Sequence, residues 1–180
     1  MMTQQDPATG LPEHVLPSML MARKLLGKTL RCLENLQYSY AGKRDKYTGD
    51  LYLQCTDGTE LSLYLLSDGR SIGTALAPPE IPLSFENDAG KWCEWHLDSY
   101  LSGVSAPQLL GARIVAVGGL VERMPGQPRA YLSALKIVFE SADYLIFFNC
   151  RDGAIATVNT ELVCQPEREG QWFEYREKGR

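Results

Sequence analysis

Residues 90–98, GKWCEWHLD, place side chains that could bind a metal ion or perform covalent chemistry close together. They include one thiol, one imidazole and two carboxylates, from Cys93, Glu94, His96 and Asp98. Zinc binds cysteine and histidine, and a cysteine next to a histidine can act as an activated nucleophile. In an extended strand, successive side chains point to opposite faces, so Cys93 cannot share a face with His96. We therefore interpret the segment as one strand of a packed domain and keep a Cys-His nucleophile as the alternative.

The rest of the sequence offers no motif for the common chemistries. The other histidine, His14, lies far away in the N-terminal segment, and no glycine-rich phosphate loop, GxSxG or HExxH occurs. Asp68-Gly69 and Asp152-Gly153 are interpreted as turns, because a calcium loop spaces several oxygen ligands at alternate positions. The sequence thus predicts no catalytic residue, no metal site and no cofactor, and a protein that is not an enzyme.

The chain contains two copies of one pattern. Leu25-Leu26-Gly27 recurs at 109–111, an offset of 84 residues. The same offset pairs Leu36 with Leu120, Gly42 with Gly126, Tyr47 with Tyr131, Leu51 with Leu135, Leu61 with Leu145 and Asp68 with Asp152. At an offset of 80, GKWCEW at 90–95 aligns with GQWFEY at 170–175. Positions kept in both copies are best explained by shared geometry.

Within each copy, apolar residues alternate with a period of two, which indicates strands. Asp-Gly pairs between the apolar runs supply the positive φ of tight turns. The predicted fold is mainly β, a β-rich α+β architecture. It has two tandem copies of an antiparallel β-meander related by pseudo-two-fold symmetry, and a short helix over residues 17–24. Each copy is predicted to end in a strand that carries its tryptophan.

The predicted organisation is an N-terminal extension (1–24), a first repeat (25–96), a connector (97–108) and a second repeat (109–176). Each copy alone is small, and small cores are marginally stable. We therefore expect the copies to form one compact body.

Charge and composition restrict the partners. The net charge is −4 and the pI is about 5.2, which argues against nucleic acid and favours a basic protein. No apolar run is long enough to span a membrane and no signal peptide is apparent, so we expect a cytoplasmic protein. The five cysteines are odd in number and form no CxxC pair, which fits reduced thiols. The sequence gives no indication of oligomeric state.

Glu94 and Glu174 are the one pair of acidic residues that both copies keep in the tryptophan segment. Two carboxylates that converge across a pseudo-two-fold axis could perform glycosidase-type chemistry. The alternative is that each carboxylate lies on the solvent side of its strand or pairs with a cation, and we favour that interpretation.

The repeated motifs also resemble a known group of proteins. LLGK before a strand, then LYLQCTDGTELSL at 51–63, a second Asp-Gly, the segment with Asp88, Gly90 and Trp92, and a second LLG copy are similar to duplicated bacterial proteins that look like immunity proteins of polymorphic and contact-dependent toxin systems. The resemblance implies a scaffold that binds and neutralises a cognate toxin by occluding its active site, without catalysis of its own.

Such a scaffold needs a surface that is complementary to its partner. Acidic and aromatic residues gather near the end of the first copy, and aromatic anchors are favoured at binding hot spots. The predicted partner-binding residues are Glu86, Asp88, Trp92, Glu94, Asp98 and Tyr100. The alternatives are a solvated acidic edge, and a protein of another class that binds a small ligand or performs catalysis between the two repeats.

Overall fold

The computed structural model describes residues 10–45, 48–102, 106–124, 126–150, 153–162 and 169–177. Within these ranges the protein is mainly β, with one short α-helix and two antiparallel sheets, as the alternation of apolar residues predicts. Tyr47 and Asp152, which entered the sequence comparison, lie outside the described residues.

Helix α1 (Leu16–Arg23) precedes the first sheet. It begins one residue before the predicted segment, because Pro17 is tolerated in the first turn of a helix. The strands of the first sheet are β1 (Leu30–Tyr40), β2 (Lys43–Arg44), β3 (Leu51–Cys55), β4 (Glu60–Leu65), β5 (Ile72–Ala75), β6 (Phe85–Glu86) and β7 (Trp92–Ser99). Their order across the sheet is β5-β4-β3-β1-β7-β6, and β2 pairs with the end of β1.

The second sheet has five strands. They are β8 (Ile114–Arg123), β9 (Ala130–Phe139), β10 (Tyr144–Cys150), β11 (Gly153–Val158) and β12 (Glu169–Arg176). Their order is β11-β10-β9-β8-β12, so each sheet contains a meander whose first strand also pairs with the strand that carries the tryptophan.

One hydrophobic cluster includes side chains from both sheets and from α1. Leu53 and Leu63 of the first sheet, Leu135 and Phe147 of the second, and Met19 of the helix are completely buried in it. Because these side chains share one cluster, each sheet covers apolar surface that the other would expose alone.

The two sheets meet where β1 and β8 begin. The Gly27 N–H donates to the Ile114 carbonyl at 2.8 Å, and the Gly111 N–H donates to the Leu30 carbonyl at 2.8 Å. Gly111 is the counterpart of Gly27, and Ile114 is the counterpart of Leu30, each at the offset of 84 residues. The two bonds are therefore reciprocal, as at a two-fold axis.

Local irregularities also recur at this offset. A register shift follows Leu30 in β1, and another follows Ile114 in β8. The β3–β4 and β9–β10 turns have positive φ at Gly58 (+85°) and Ala142 (+70°), although the second turn contains no Asp-Gly pair.

The final strands do not follow the same pattern. In the second sheet Trp172 lies opposite Leu120, the counterpart of Leu36. In the first sheet Trp92 lies beside Ala41, whose N–H donates to the Trp92 carbonyl at 2.9 Å. Ala41 lies five residues after Leu36. The pairing of the tryptophan strand with β1 is therefore shifted by five residues relative to its pairing with β8. The pseudo-two-fold relation between whole copies stays a prediction. β7 continues to Ser99 before a 3₁₀ turn, so the first residues of the predicted connector belong to that strand.

Candidate functional site

The aromatic and acidic residues that the sequence singles out lie where β1, β2, β6 and β7 pair. We call residues 35–44 and 85–99 the tryptophan ribbon. Antiparallel pairing places Tyr40 opposite Cys93, and Cys93 opposite Phe85. Because directly opposed residues share a face, the ribbon has a Cys93 face and a Trp92 face.

Aromatic rings cover the Cys93 face. The Trp95 ring centroid lies 5.2 Å from that of Tyr38 and 6.0 Å from that of Phe85. Cys93 is buried, and the Tyr38 hydroxyl donates a hydrogen bond to its Sγ atom at 3.2 Å. That bond, in which the tyrosine is the donor, raises the pKa of Tyr38. Tyr40 and Phe85 remain exposed on this face, so the aromatic cluster continues to the surface.

The Trp92 face combines an exposed indole with two carboxylates. Glu86 lies directly opposite Trp92 in the β6–β7 pair, and Glu94 follows two residues later on the same strand. Both carboxylates therefore project from the face that carries the indole. Trp92 is 53% exposed, a large fraction for a side chain that is highly buried on average.

A surface cleft of about 460 Å³ adjoins this indole. Trp92, Lys91 and Glu94 line it together with small residues of two turns, Ala41, Gly42 and Gly90. The Glu86 carboxylate lies next to this lining, since a Cβ atom on Gly90 would be 3.4 Å from it. The cleft lining thus combines one indole, one carboxylate and one ammonium group, and a second carboxylate lies next to Gly90.

Farther along the Trp92 face, the side chains have partners within the protein. The His96 Nε2 atom is 4.0 Å from the Glu94 carboxylate, and Asp98 forms an ion pair with Arg44. The β1 residues opposite these side chains are Asn35, Gln37 and Ser39, which are polar and buried. The Gln37 amide donates to the Asn35 side chain at 2.9 Å.

The pairing confirms that Cys93 and His96 project from opposite faces of β7, as the period of two predicts. In the part of the chain that the structure describes, no group of three or more His, Cys, Asp or Glu side chains could hold a metal ion. Glu94 and Glu174 also have different surroundings, since they lie in separate sheets and Glu174 accepts a hydrogen bond from Arg176.

The structure places the six predicted partner-binding residues in different environments. Trp92 and Glu94 line the cleft, and Glu86 lies next to it. Asp88 is exposed in the β6–β7 turn, and Asp98 is paired with a cation. Tyr100 is buried in the hydrophobic core, which raises the pKa of its hydroxyl to about 12. That hydroxyl donates to the Ala156 carbonyl at 2.6 Å, so Tyr100 does not contribute to this surface.

Sequence reasoning overlooked the cations that accompany the acidic residues. Lys43 and Arg44 form β2, and Lys91 precedes β7. The tryptophan ribbon therefore carries both signs of charge. A signal for the missed aromatic residues was present in YSY at 38–40, where the two tyrosines alternate with a serine.

A second surface cavity, of about 550 Å³, lies elsewhere. Its lining includes Gly10 and Pro12 of the N-terminal segment, with Val121, Glu122 and Phe173 of the second sheet. It is formed by one repeat and the N-terminal segment.

The structure contains no helix that is both long and apolar enough to cross a membrane, within the ranges it describes. No protein-family model, curated protein or solved structure matches this chain.

Proposed function

We propose that this chain is an immunity-type protein that binds a cognate toxin through the tryptophan ribbon and occludes the toxin's active site. The observation that carries the proposal is the exposed Trp92 indole, flanked by Glu86 and Glu94 beside a cleft. An apolar ring held between charged groups is typical of a binding hot spot rather than of a surface that only keeps a protein soluble.

The ribbon has further properties of a protein-binding surface. Tyr40 and Phe85 expose large apolar area on its other face. β6 pairs only with Trp92 and Cys93, so among the described residues no strand pairs with the outer edge of β7 from Glu94 to Asp98. A partner can add hydrogen bonds at such an edge while its side chains contact the exposed rings.

Neutralisation of a toxin is the specific form of this proposal, and two observations support it. The first is the resemblance of the duplicated motifs to immunity proteins of polymorphic toxin systems. The second is the net charge of −4, which suits a basic effector such as a nuclease. Opposite charges accelerate association and help to select the partner.

Co-expression of this chain with the product of the adjacent gene tests the proposal. We expect rescue from toxicity and a complex that co-purifies. Trp92→Ala should weaken the complex by at least about thirtyfold, because an anchor in a hot spot contributes about 2 kcal/mol or more. Trp172→Ala is the matched control, since Trp172 is the tryptophan of the other copy and is 42% exposed.

Two results would contradict the proposal. One is a complex that Trp92→Ala leaves unchanged and Trp172→Ala weakens. The other is an adjacent gene product that is neither toxic nor bound.

Small-ligand binding is the second candidate function, and the 550 Å³ cavity favours it. Its volume lies within the usual range of ligand sites, and Phe173 supplies an apolar wall. A screen of metabolites by thermal shift distinguishes this function. A stabilising metabolite whose effect Arg123→Gln or Gln171→Ala removes, while Trp92→Ala preserves it, would favour this cavity over the tryptophan ribbon.

A further inference from the structure

The cleft beside Trp92 has the chemistry of a site for an arginine side chain. A guanidinium group stacks on an aromatic face and donates paired hydrogen bonds to a carboxylate. Trp92 provides the face, and Glu86 and Glu94 provide carboxylates from the same side of the sheet. The charged residues of the described lining are Lys91 and Glu94, and the Glu86 carboxylate next to Gly90 makes the surroundings of the indole net negative.

The second copy shows how a carboxylate at this position obtains a hydrogen-bond donor. The segment after Trp172 continues to Glu174 and Arg176, and the Arg176 guanidinium donates to the Glu174 carboxylate. These residues alternate along β12, so they share one face of the strand. In this copy the protein supplies its own guanidinium to the glutamate that follows the tryptophan.

The first copy has no arginine at the corresponding position. The residue at the position that corresponds to Arg176 is His96, whose Nε2 atom lies 4.0 Å from the Glu94 carboxylate. That distance is too long for a hydrogen bond. The Glu94 carboxylate therefore lines an open cleft next to an exposed indole, whereas the Glu174 carboxylate is already bound by an arginine.

We propose that the Trp92 cleft receives an arginine side chain of the protein partner. The inference rests on the proposed function, because it specifies which partner group occupies the same surface. The guanidinium stacks on the Trp92 indole and donates to Glu94, while Glu86 supplies a second negative charge across the strand pair.

Titration of the free protein with short peptides tests the inference without the partner. The probe is acetyl-Gly-Arg-Gly-amide, and the matched control replaces arginine with citrulline, which has a similar shape and no charge. The readout is the indole N–H signals in proton–nitrogen correlation spectra. The chain contains three tryptophans, so Trp92→Phe and Trp172→Phe assign the relevant signals.

We expect the arginine peptide to shift the Trp92 indole signal in a saturable manner. The citrulline peptide should bind at least about tenfold more weakly, because the charge-assisted hydrogen bonds to the carboxylates are lost. Glu94→Gln should weaken arginine binding by about the same factor, with the spectrum otherwise retained.

The sharpest test exchanges the side chains of His96 and Arg176, which lie two positions after Glu94 and Glu174. His96→Arg should supply an intramolecular guanidinium and abolish the Trp92 shift. Arg176→His should release Glu174, so that the arginine peptide shifts the Trp172 signal as well. Unchanged spectra outside the two strands establish that both variants are folded.

An equal shift with the citrulline peptide, or an unchanged titration in His96→Arg, would overturn the inference. Its failure is distinguishable from failure of the proposed function. A toxin that is neutralised equally well by Glu94→Gln refutes the arginine site alone. An arginine peptide that binds at Trp92, in the absence of any toxin that this chain neutralises, refutes the immunity function alone.

Discussion

Asp50 gives a prediction that connects burial, charge and the junction of the two sheets. The Asp50 carbonyl accepts the Leu36 N–H at 2.8 Å, and the Gly49 N–H donates to the Ala154 carbonyl at 3.1 Å. This segment therefore bridges β1 and β11. Burial raises the pKa of the Asp50 carboxyl from 3.8 to about 6, because removal from water penalises its charged form.

The magnitude follows from that shift. Each pKa unit corresponds to about 1.4 kcal/mol, so the full shift would amount to roughly 3 kcal/mol. Asp50 is only partly buried, and solvent screening reduces the effect. We therefore expect the ionised Asp50 carboxylate to destabilise the fold by about 1–2 kcal/mol at neutral pH.

The effect of Asp50 on the stability of the fold changes with pH in a defined direction. Its folded pKa lies above its unfolded pKa, so the native state binds the proton more tightly. The stabilising contribution of the protonated form is complete below the unfolded pKa of about 4 and is lost as the pH rises through about 6.

Asp50→Asn removes the charge and keeps the backbone hydrogen bonds. We expect its free energy of unfolding to exceed that of the natural chain by about 1–2 kcal/mol at neutral pH, with little difference near pH 4. Urea denaturation at the two pH values measures both quantities. Asp88→Asn, at an exposed turn residue, is the control that should change neither.

Two results would refute this reasoning. A loss of stability in Asp50→Asn at neutral pH would mean that the carboxylate makes a favourable interaction. An equal gain at both pH values would mean that the substitution acts through something other than charge.

Two further predictions concern a buried hydroxyl and two cysteine thiols of different exposure. Tyr100→Phe leaves the Ala156 carbonyl without the hydroxyl that lies 2.6 Å away, so we expect urea denaturation to show a loss of about 1–2 kcal/mol. Arginine-peptide binding by this variant should be unchanged. The exposed Cys150 thiol should react with a thiol reagent in the native protein, as mass spectrometry of labelled peptides can show. Cys55 should react only on unfolding, because burial raises its pKa to about 11 and limits access.

Much of the strand arrangement follows from local sequence. The alternating LYLQC and LSLYLL around an Asp-Gly turn predict the β3–β4 hairpin, which the structure confirms. The corresponding β9–β10 hairpin turns at Ser141-Ala142. Ala142 there adopts the positive φ that Gly58 has in the first copy. Side-chain alternation along β7 was also sufficient to separate Cys93 from His96.

Short strands and long-range ion pairs leave no comparable pattern in the sequence from which they could be predicted. β2 and β6 contain two residues each, too few to establish a period. The pairing of Arg44 with Asp98 joins residues distant in sequence, so its position depends on the fold. Burial of Tyr100 likewise depends on packing against the second sheet, where the Ala156 carbonyl accepts a hydrogen bond from its hydroxyl.

The register of the tryptophan strands explains why one motif has two environments. A displacement by an odd number of residues reverses which face of a strand meets the core. The five-residue displacement therefore places Trp172 on the same face as Leu120, and Trp92 beside the small residue Ala41 at the end of β1. Sequence alignment at an offset of 80 identifies the two tryptophans as equivalent but contains no information about this displacement. The open cleft exists in the first copy because the register brings Trp92 to two glycine-containing turns, and the arginine hypothesis depends on that geometry.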